Sequence, residues 1–598
     1  MDCEISYYFC PAKTRELKNL IHLNKYLKKY KTLLIIGTIF ILISNIFALY
    51  PAEFVRHAFN NIQENINQNN TSNSIRYSLL KYGSLILLFA IMKGLFMYFM
   101  RQTIIVMSRK IEFDLKNEIY KKYQQLCLSF YKKNNTGDLM NRITEDVNRV
   151  RMYLGPALMY AINMIFLFGL VITKMLSINL TLTIYVLIPL PILAIAVYFV
   201  SSQINKKSEQ SQAQLSVLTS STQENFSAIN IIKIFRNEKK SFEKFLNECE
   251  KYKTKQLKLV SVEAWFFPLI ILLIGISTIT TVYVGGLETF KGKISTGNIA
   301  EFIIYVNMLP WPVASVGWVT SLVQRAEASM QRINEFLNNK STILNHNNQN
   351  TKINGDIEFN KVSFTYRDTG IRALQNINFT IKENETLGIF GKTGSGKSTI
   401  ANLITRLYDI DEGKITIGNN DIKNLNLNQL RKSIGYVPQD GFLFSGTISE
   451  NISFGKSEFK ESEIVDAAKT AEIVNEINHF PKKYNTMVGE RGVQLSGGQR
   501  QRLSIARAIF INPAIYIFDD CLSAVDANKE KLILENLKMK MKGNTNIIIS
   551  HRTASMQNTN YIIVLEKGKI IEEGTHESLI KLNGFYAEMH FKQTNENY

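Results

Sequence analysis

Six apolar runs interrupt an otherwise polar chain: Thr32 to Tyr50, Tyr82 to Phe99, Leu154 to Thr173, Leu180 to Val200, Phe266 to Val284 and Ile299 to Val323. Each approaches the ~20 residues that a helix needs to cross a hydrocarbon layer. One such run also suits a buried soluble helix, but a succession of them predicts a helical membrane region of about six spans. The polar excursions between the second and third runs, and between the fourth and fifth, keep a helical period. Ile111, Leu115, Ile119 and Tyr123 recur there among charges, so the spans are predicted to continue as helices beyond the apolar layer. Pro189, Pro191, Pro310 and Pro312 fall inside the runs and predict helix distortions, because proline lacks an amide donor and crowds the preceding turn.

Charge placement gives these spans a direction. The formal charge is +19, a balance that suits a nucleic-acid partner or an anionic membrane surface equally well. The basic residues concentrate at the N-terminus, in Arg101 to Arg151 and in Lys206 to Lys258, whereas His57 to Ser74, Lys174 to Asn179 and Gly285 to Thr296 carry few. Because positive loops are retained on the cytosolic side, both termini are predicted to be cytosolic in a multi-pass inner-membrane protein. The apolar spans exclude a soluble nucleic-acid-binding protein, and no nucleic-acid partner is expected. Cys3, Cys10, Cys127, Cys249 and Cys521 form no CxxC pair and are expected to be reduced. Met1 to Lys31 is lysine-rich without the apolar core of a secretory signal. The spacing of Leu20, Ile21, Leu27 and Tyr30 there predicts an amphipathic helix on the inner membrane surface.

A chain of 598 residues exceeds one hydrophobic core, and a second domain follows the spans. A helix through Arg332 and Phe336 ends in the asparagine-rich run Asn338 to Asn354, which reads as a linker. Strand-like Thr386 to Phe390 then leads into GKTGSGKST, Gly391 to Thr399, and an amphipathic helix from Ile400 to Tyr408. This is a P-loop in its required context. Gly391, Gly394 and Gly396 let the backbone of Gly391, Lys392, Thr393, Gly394, Ser395 and Gly396 curl, so that its amides point at phosphate oxygens. Lys397 would reach the β and γ phosphates of ATP, Ser398 would ligate Mg²⁺, and Thr399 completes the motif. Farther on, the strand Ile515 to Phe518 delivers Asp519 and Asp520 at its carboxyl end, where α/β sheets place ligand-binding groups. Asp519 is the expected Mg²⁺ partner, and Asp520 is placed to polarise the attacking water.

Between these motifs stands LSGGQ, formed by Leu495, Ser496, Gly497, Gly498 and Gln499, and with it the chain resembles the ATP-binding cassette transporters. The resemblance covers nearly the whole length, in the exporter order of membrane domain then cassette. It implies an all-α six-helix transmembrane domain followed by an α/β P-loop NTPase domain: a segment 1–31, the membrane domain 32–325, a linker 326–353 and the cassette 354–592. By the same resemblance Tyr366 would stack on adenine, Gln439 would sense Mg²⁺ and the membrane domain, Asp526 would close the D-loop and His551 would contact the γ-phosphate. Thr486 to Gly492 resembles the exporter loop before the signature, Ser129 to Val147 and Phe226 to Phe235 resemble coupling helices, and Arg325 to Ile333 resembles the linker helix of bacterial multidrug exporters. The family builds each ATP site from the P-loop of one cassette and the signature of another, so one chain implies a homodimer or a heterodimer with a homologous half-transporter. Asp520 stands where the family usually has a catalytic glutamate, one methylene shorter.

The implied activity is ATP-driven export of hydrophobic or amphipathic compounds, in contact with membrane lipid. Lipid or lipid A flipping is the alternative, and an ATP-gated channel a third reading. Within the runs, Lys93 and Glu301 are the notable ionisable residues, costly in a bilayer unless paired or at its boundary. Tyr305, Asn307, Trp311 and Trp318 lie on the sixth run, where core packing is expected ahead of substrate contact.

Overall fold

The structure, a computed structural model, describes residues 18–67, 72–345, 347, 353–489 and 495–595. Cys3, Cys10, most of the Met1 to Lys31 segment, part of the linker run and the end of Thr486 to Gly492 lie outside the described residues. The chain divides into two compact units, Met1–Gln124 with Gly137–Asn339, and Gln125–Thr136 with Lys340–Tyr598.

The first unit is helical. Helix α1 spans Lys31–Asn67 and α2 Ser72–Gln125; at 1.5 Å per residue the 54 residues of α2 reach about 80 Å, far beyond a hydrocarbon layer. The short α3, Leu128–Lys133, belongs to the second unit. There follow α4 (Leu158–Ile178), α5 (Leu180–Leu187), α6 (Pro189–Ser227), α7 (Ile229–Ile234), α8 (Glu238–Glu263), α9 (Phe266–Phe290), α10 (Thr296–Met308) and α11 (Pro310–Leu337). Among the described residues five helices are long and apolar enough to cross a membrane. The fourth apolar run is helical too, but in two pieces, α5 and α6, that meet where Pro189 withholds an amide. The sixth run is likewise divided between α10 and α11, just before Pro310.

Packing at one end of these helices is close enough to require glycine. A Cβ on Gly297 would stand 2.5 Å from the Arg56 carbonyl oxygen, so α10 lies directly on α1. There Glu301, 1% exposed, accepts from the Tyr305 hydroxyl at 2.9 Å and pairs with Arg56 at 3.3 Å. Leu49, Val171, Met175, Leu182 and Phe302 close the apolar cluster around them. Tyr305 is thus core, as expected, and Trp318, though partly open, stands edge-on to Tyr160 at 5.6 Å; Asn307 and Trp311 are exposed, so the packing role expected of those two does not hold within one chain. Lys93 is exposed on α2. Near the N-terminus, two short helices, Asn19–Leu23 and Asn24–Lys29, bury Leu20, Leu23 and Tyr26 and leave Ile21 exposed.

Besides a two-stranded ribbon that pairs Gly446–Thr447 with Met487–Val488, the second unit contains two sheets. Strands β1 (Ile357–Tyr366), β2 (Ile371–Ile381), β3 (Thr386–Gly391), β4 (Glu412–Ile417), β5 (Asn420–Asp421), β6 (Ile434–Val437), β7 (Ile515–Asp519), β8 (Thr545–Ser550), β9 (Tyr561–Glu566) and β10 (Lys569–Gly574) build them. The first, antiparallel, runs β2-β1-β4-β5; the second runs β10-β9-β3-β8-β7-β6, parallel except for its β10 edge. The central strands are buried runs such as Ile547 to Ile549, as expected of a parallel sheet covered on both faces. Register decides where the chemistry goes: Phe390 lies opposite Ser550, and Ile549 opposite Asp519. The residues that follow β3, β7 and β8 therefore emerge together at one carboxyl edge, the expected ligand edge of such a sheet.

Candidate functional site

At that edge β3 ends in the P-loop, and α12 (Lys397–Ile404) begins. Gly396 takes φ 104°, and a Cβ there would press to 2.5 Å on the Ala373 carbonyl oxygen, so only glycine permits the turn. Lys397 folds back over the loop, its Nζ donating to the carbonyls of Gly391 at 2.7 Å and Lys392 at 2.9 Å. Burial pulls its ammonium below the usual lysine range, opposed by the charges of Asp520 and Asp519. Those same carbonyls hold the ammonium across the cradle that the sequence assigns to phosphate. Thr399 is buried, with its hydroxyl 3.1 Å from that of Tyr366.

Asp519 sits at the end of β7, 2% exposed. The Ser398 hydroxyl donates to one of its oxygens at 3.0 Å and the Tyr436 hydroxyl to the other at 3.4 Å. Burial pushes the carboxyl up, and the two hydroxyls oppose that shift. Neighbouring oxygens on an octahedral Mg²⁺, each ~2.0–2.1 Å from the metal, stand about 2.9 Å apart, which the Ser398 and Asp519 pair matches at 3.0 Å. The donor set therefore fits a hard cation that keeps phosphate and water as its other ligands.

Asp520 turns the chain out of the strand at φ 47°, a left-handed conformation that aspartate tolerates better than most side chains. Its amide donates to Ile549 at 2.8 Å, and its carboxylate oxygens lie 3.0 and 3.1 Å from His551 Nδ1. Gln439, just beyond β6, is exposed. Tyr366 packs edge-on against Tyr408 at 5.3 Å. Lys132, on α3, stands 4.9 Å above the Tyr366 ring and 5.5 Å above that of Tyr408, while Leu128 packs on the cassette core. The first segment read as a coupling helix is thus divided: Gln125–Thr136 folds with the cassette and the rest with the membrane unit. In the second such segment, Phe226 to Phe235, which contains α7, Ile231, Ile234 and Phe235 are exposed.

Ser496 caps α13 (Gly497–Phe510), its Oγ accepting from the Gln499 amide while Gln499 Oε1 accepts from the Ser496 amide at 3.0 Å. Leu495 is buried beneath, with Gly497 and Gly498 in the first turn. Asp526 caps α14 (Ala527–Lys540) by accepting from the Lys529 amide at 3.0 Å. Among the described residues no hydrogen bond or ion pair joins the P-loop to Leu495–Gln499; the structure brings the phosphate loop, both aspartates and His551 together, and leaves the signature apart from them. Three residues at the site escaped the sequence reading. Tyr436 and Lys132 are described above. Gln501, nearly buried, donates to the Gln439 carbonyl at 3.4 Å and the Ser523 hydroxyl at 3.3 Å, and accepts from the Ala524 amide at 3.1 Å. Its position two residues after the signature was the only signal.

Comparison with known proteins gives the chain its family. The family model for the ABC transporter transmembrane region matches residues 34–313, and the ABC transporter model matches 374–523. The probable multidrug resistance ABC transporter ATP-binding/permease protein YheI of Bacillus subtilis (strain 168) is 37% identical, over 78% of this chain and 80% of its own. The multidrug resistance-like ATP-binding protein MdlA of Buchnera aphidicola subsp. Baizongia pistaciae (strain Bp) is 36% identical, over 96% and 98%. The ATP-dependent lipid A-core flippase of Syntrophus aciditrophicus (strain SB) is 34% identical, over 86% and 85%. Among solved structures, a bacterial Atm1-family ABC exporter with ATP bound matches with a TM-score of 0.76 at 24% identity, covering 95% of this chain and 99% of that one, a likeness of fold. The chain belongs to the ABC transporters, as a bacterial exporter half-transporter whose ATPase cassette is coupled to a membrane region on the same polypeptide.

Proposed function

We propose that this half-transporter exports hydrophobic or amphipathic compounds across the bacterial inner membrane, with both termini cytosolic, by closing two cassettes on ATP. The observation that carries the reading is the separation within one chain of a complete phosphate edge and a capped signature helix. Each needs a counterpart, which a second half-transporter supplies. The exposed apolar face of α7 suits a socket on that partner's cassette.

In this reading the P-loop amides and Lys397 hold the β and γ phosphates, and the lysine exchanges its two carbonyl partners for phosphate oxygens. Ser398 and Asp519 would hold Mg²⁺, with Gln439 completing the set; the ion would neutralise charge developing on the phosphates. Asp520 accepts a proton from the attacking water, and His551, oriented by Asp520 through Nδ1, contacts the γ-phosphate. Tyr366 stacks on adenine. Ser496 and the α13 N-terminus, with Leu495, Gly497, Gly498 and Gln499, face the nucleotide bound by the partner, where amides suit an anion, and Asp526 lies at the same junction.

The short reach of Asp520 fits the weaker site of a heterodimer, while the intact signature and His551 fit a competent homodimer. Lipid flipping is the second reading, favoured by relatives named lipid A-core flippases. Uptake of an amphipathic dye into inside-out vesicles tests the proposal. Accumulation that needs hydrolysable ATP and no ion gradient supports a pump; an ion current that persists with bound, unhydrolysed ATP supports a channel and contradicts it.

A further inference from the structure

Helices α1 and α4 pack side by side in the membrane unit, and between them lies a cavity of about 530 Å³. Its walls are apolar, from Ile46, Leu49 and Tyr50 on α1 and Ile165, Phe166 and Leu170 on α4. Its mouth is ionic: Glu53 and Lys174 line one end and pair at 3.4 Å. Both lie where their apolar runs stop, three residues after Tyr50 and one after Thr173. That is the level at which a bilayer changes from hydrocarbon to headgroups.

The charges at this mouth are unequally committed. Glu53 is shared between Lys174 and Arg56, the latter at 3.3 Å, and Arg56 also holds the buried Glu301. Lys174 is 44% exposed, and Glu53 is its one ion partner among the described residues. That pair is longer than the 2.7–2.9 Å or so of a strong charge-assisted bond, and an ammonium carries three donors. The mouth therefore offers an accessible cation above an apolar slot. We infer that the groove between α1 and α4 is a binding site for a membrane glycerophospholipid, whose acyl chain lies along Leu49, Phe166 and Leu170 and whose phosphate is held by Lys174. From Ile46 to Glu53 the slot rises about 10 Å, enough to seat a substantial length of chain. The site does not depend on what the transporter exports.

Gly169, on the groove wall, provides a way to fill it: an added Cβ there meets nothing within 4 Å. Full-length protein in mild detergent would be presented with phosphatidylglycerol and, separately, with a phosphate-free galactolipid of the same chains, and retained lipid counted by native mass spectrometry. The wild type is expected to retain phosphatidylglycerol in preference to the galactolipid. Lys174→Gln is expected to lower that retention about tenfold, Lys174→Arg to restore it, and Gly169→Phe to abolish it. Equal retention of the two lipids by the wild type, or unchanged retention in Lys174→Gln, overturns the site. So does a Gly169→Phe protein that changes its oligomeric mass while keeping its lipid, because the groove would then be covered by a second copy of the chain.

Discussion

His551 Nδ1 bridges the two carboxylate oxygens of Asp520, 3.0 and 3.1 Å away, across the gap between β7 and β8. The contact fixes the imidazole and orients the carboxylate proposed to accept the proton of the attacking water.

Replacing Asp520 therefore tests its role in both directions. Asp520→Asn keeps the shape but cannot accept a proton, and phosphate release is expected to fall by about a hundredfold or more. Asp520→Glu restores the missing methylene and is expected to raise turnover by about tenfold, since a misplacement of about 1 Å can cost up to a hundredfold. Unchanged turnover in Asp520→Asn would remove this residue from the chemistry.

Gln501 joins the Gln439 carbonyl to Ser523 and Ala524, linking the two loops on either side of the nucleotide edge. Gln501→Leu would remove the acceptor of the exposed Ala524 amide, at the roughly 0.5–1.5 kcal/mol of one ordinary hydrogen bond. Turnover is expected to drop several-fold with little change in the ATP concentration at half-saturation. A rise in KM alone would place Gln501 in binding.

Cys127 gives a pH-dependent handle on α3. Burial opposes ionisation, but hydrogen bonds with Ser129 at 3.0 Å and Thr342 at 3.3 Å outweigh it and hold the thiol down to about 7. An ordinary thiol lies near 8.5. The thiolate fraction rises as pH passes upward through about 7, so maleimide labelling in a background with Cys3, Cys10 and Cys249 replaced by Ser, Cys521 being buried, should level off above about pH 8. Thr342→Val removes one donor and is expected to move the rise to higher pH. A profile that still climbs at alkaline pH in the wild type would contradict this.

Glu301 has the surroundings of a structural clamp. Glu301→Ala leaves Arg56 without one of its two carboxylates and Tyr305 without its acceptor, and is expected to cost about 3 kcal/mol. A lowered unfolding temperature with unaltered ATP hydrolysis per folded molecule is the expected outcome. Loss of transport at full stability would instead make Glu301 part of the pathway.

How much of this was legible in the sequence depended on whether the cause was local. The spans, the P-loop between β3 and α12, and the strand that ends at Asp519 each follow from a short pattern, and the breaks before Pro189 and Pro310 from a missing amide. Long-range partners left no such trace. Nothing near Glu301 in the chain announces Arg56, which lies 245 positions away. Helical period placed Leu20 and Ile21 together on the apolar face, yet packing buries Leu20 with Leu23 and Tyr26 and leaves Ile21 exposed. Gln501 and Arg502 carried no signal of burial in the sequence, yet both are buried, because their side chains meet partners from distant segments, Gln501 at Gln439 and Ser523 and Arg502 at Glu476. The division of Gln125–Thr136 from its neighbours reflects Leu128 and Lys132 meeting the cassette, a contact that only the fold supplies.

ATP hydrolysis by the chain in lipid nanodiscs, alone and with a homologous half-transporter, tests the central claim most directly when wild type and Lys397→Ala are compared. The account predicts Mg²⁺-dependent turnover that rises with an amphipathic compound and disappears when Lys397 no longer grips the phosphates. Equal turnover in Lys397→Ala, or a wild type that binds no ATP with Mg²⁺ in either setting, would contradict it.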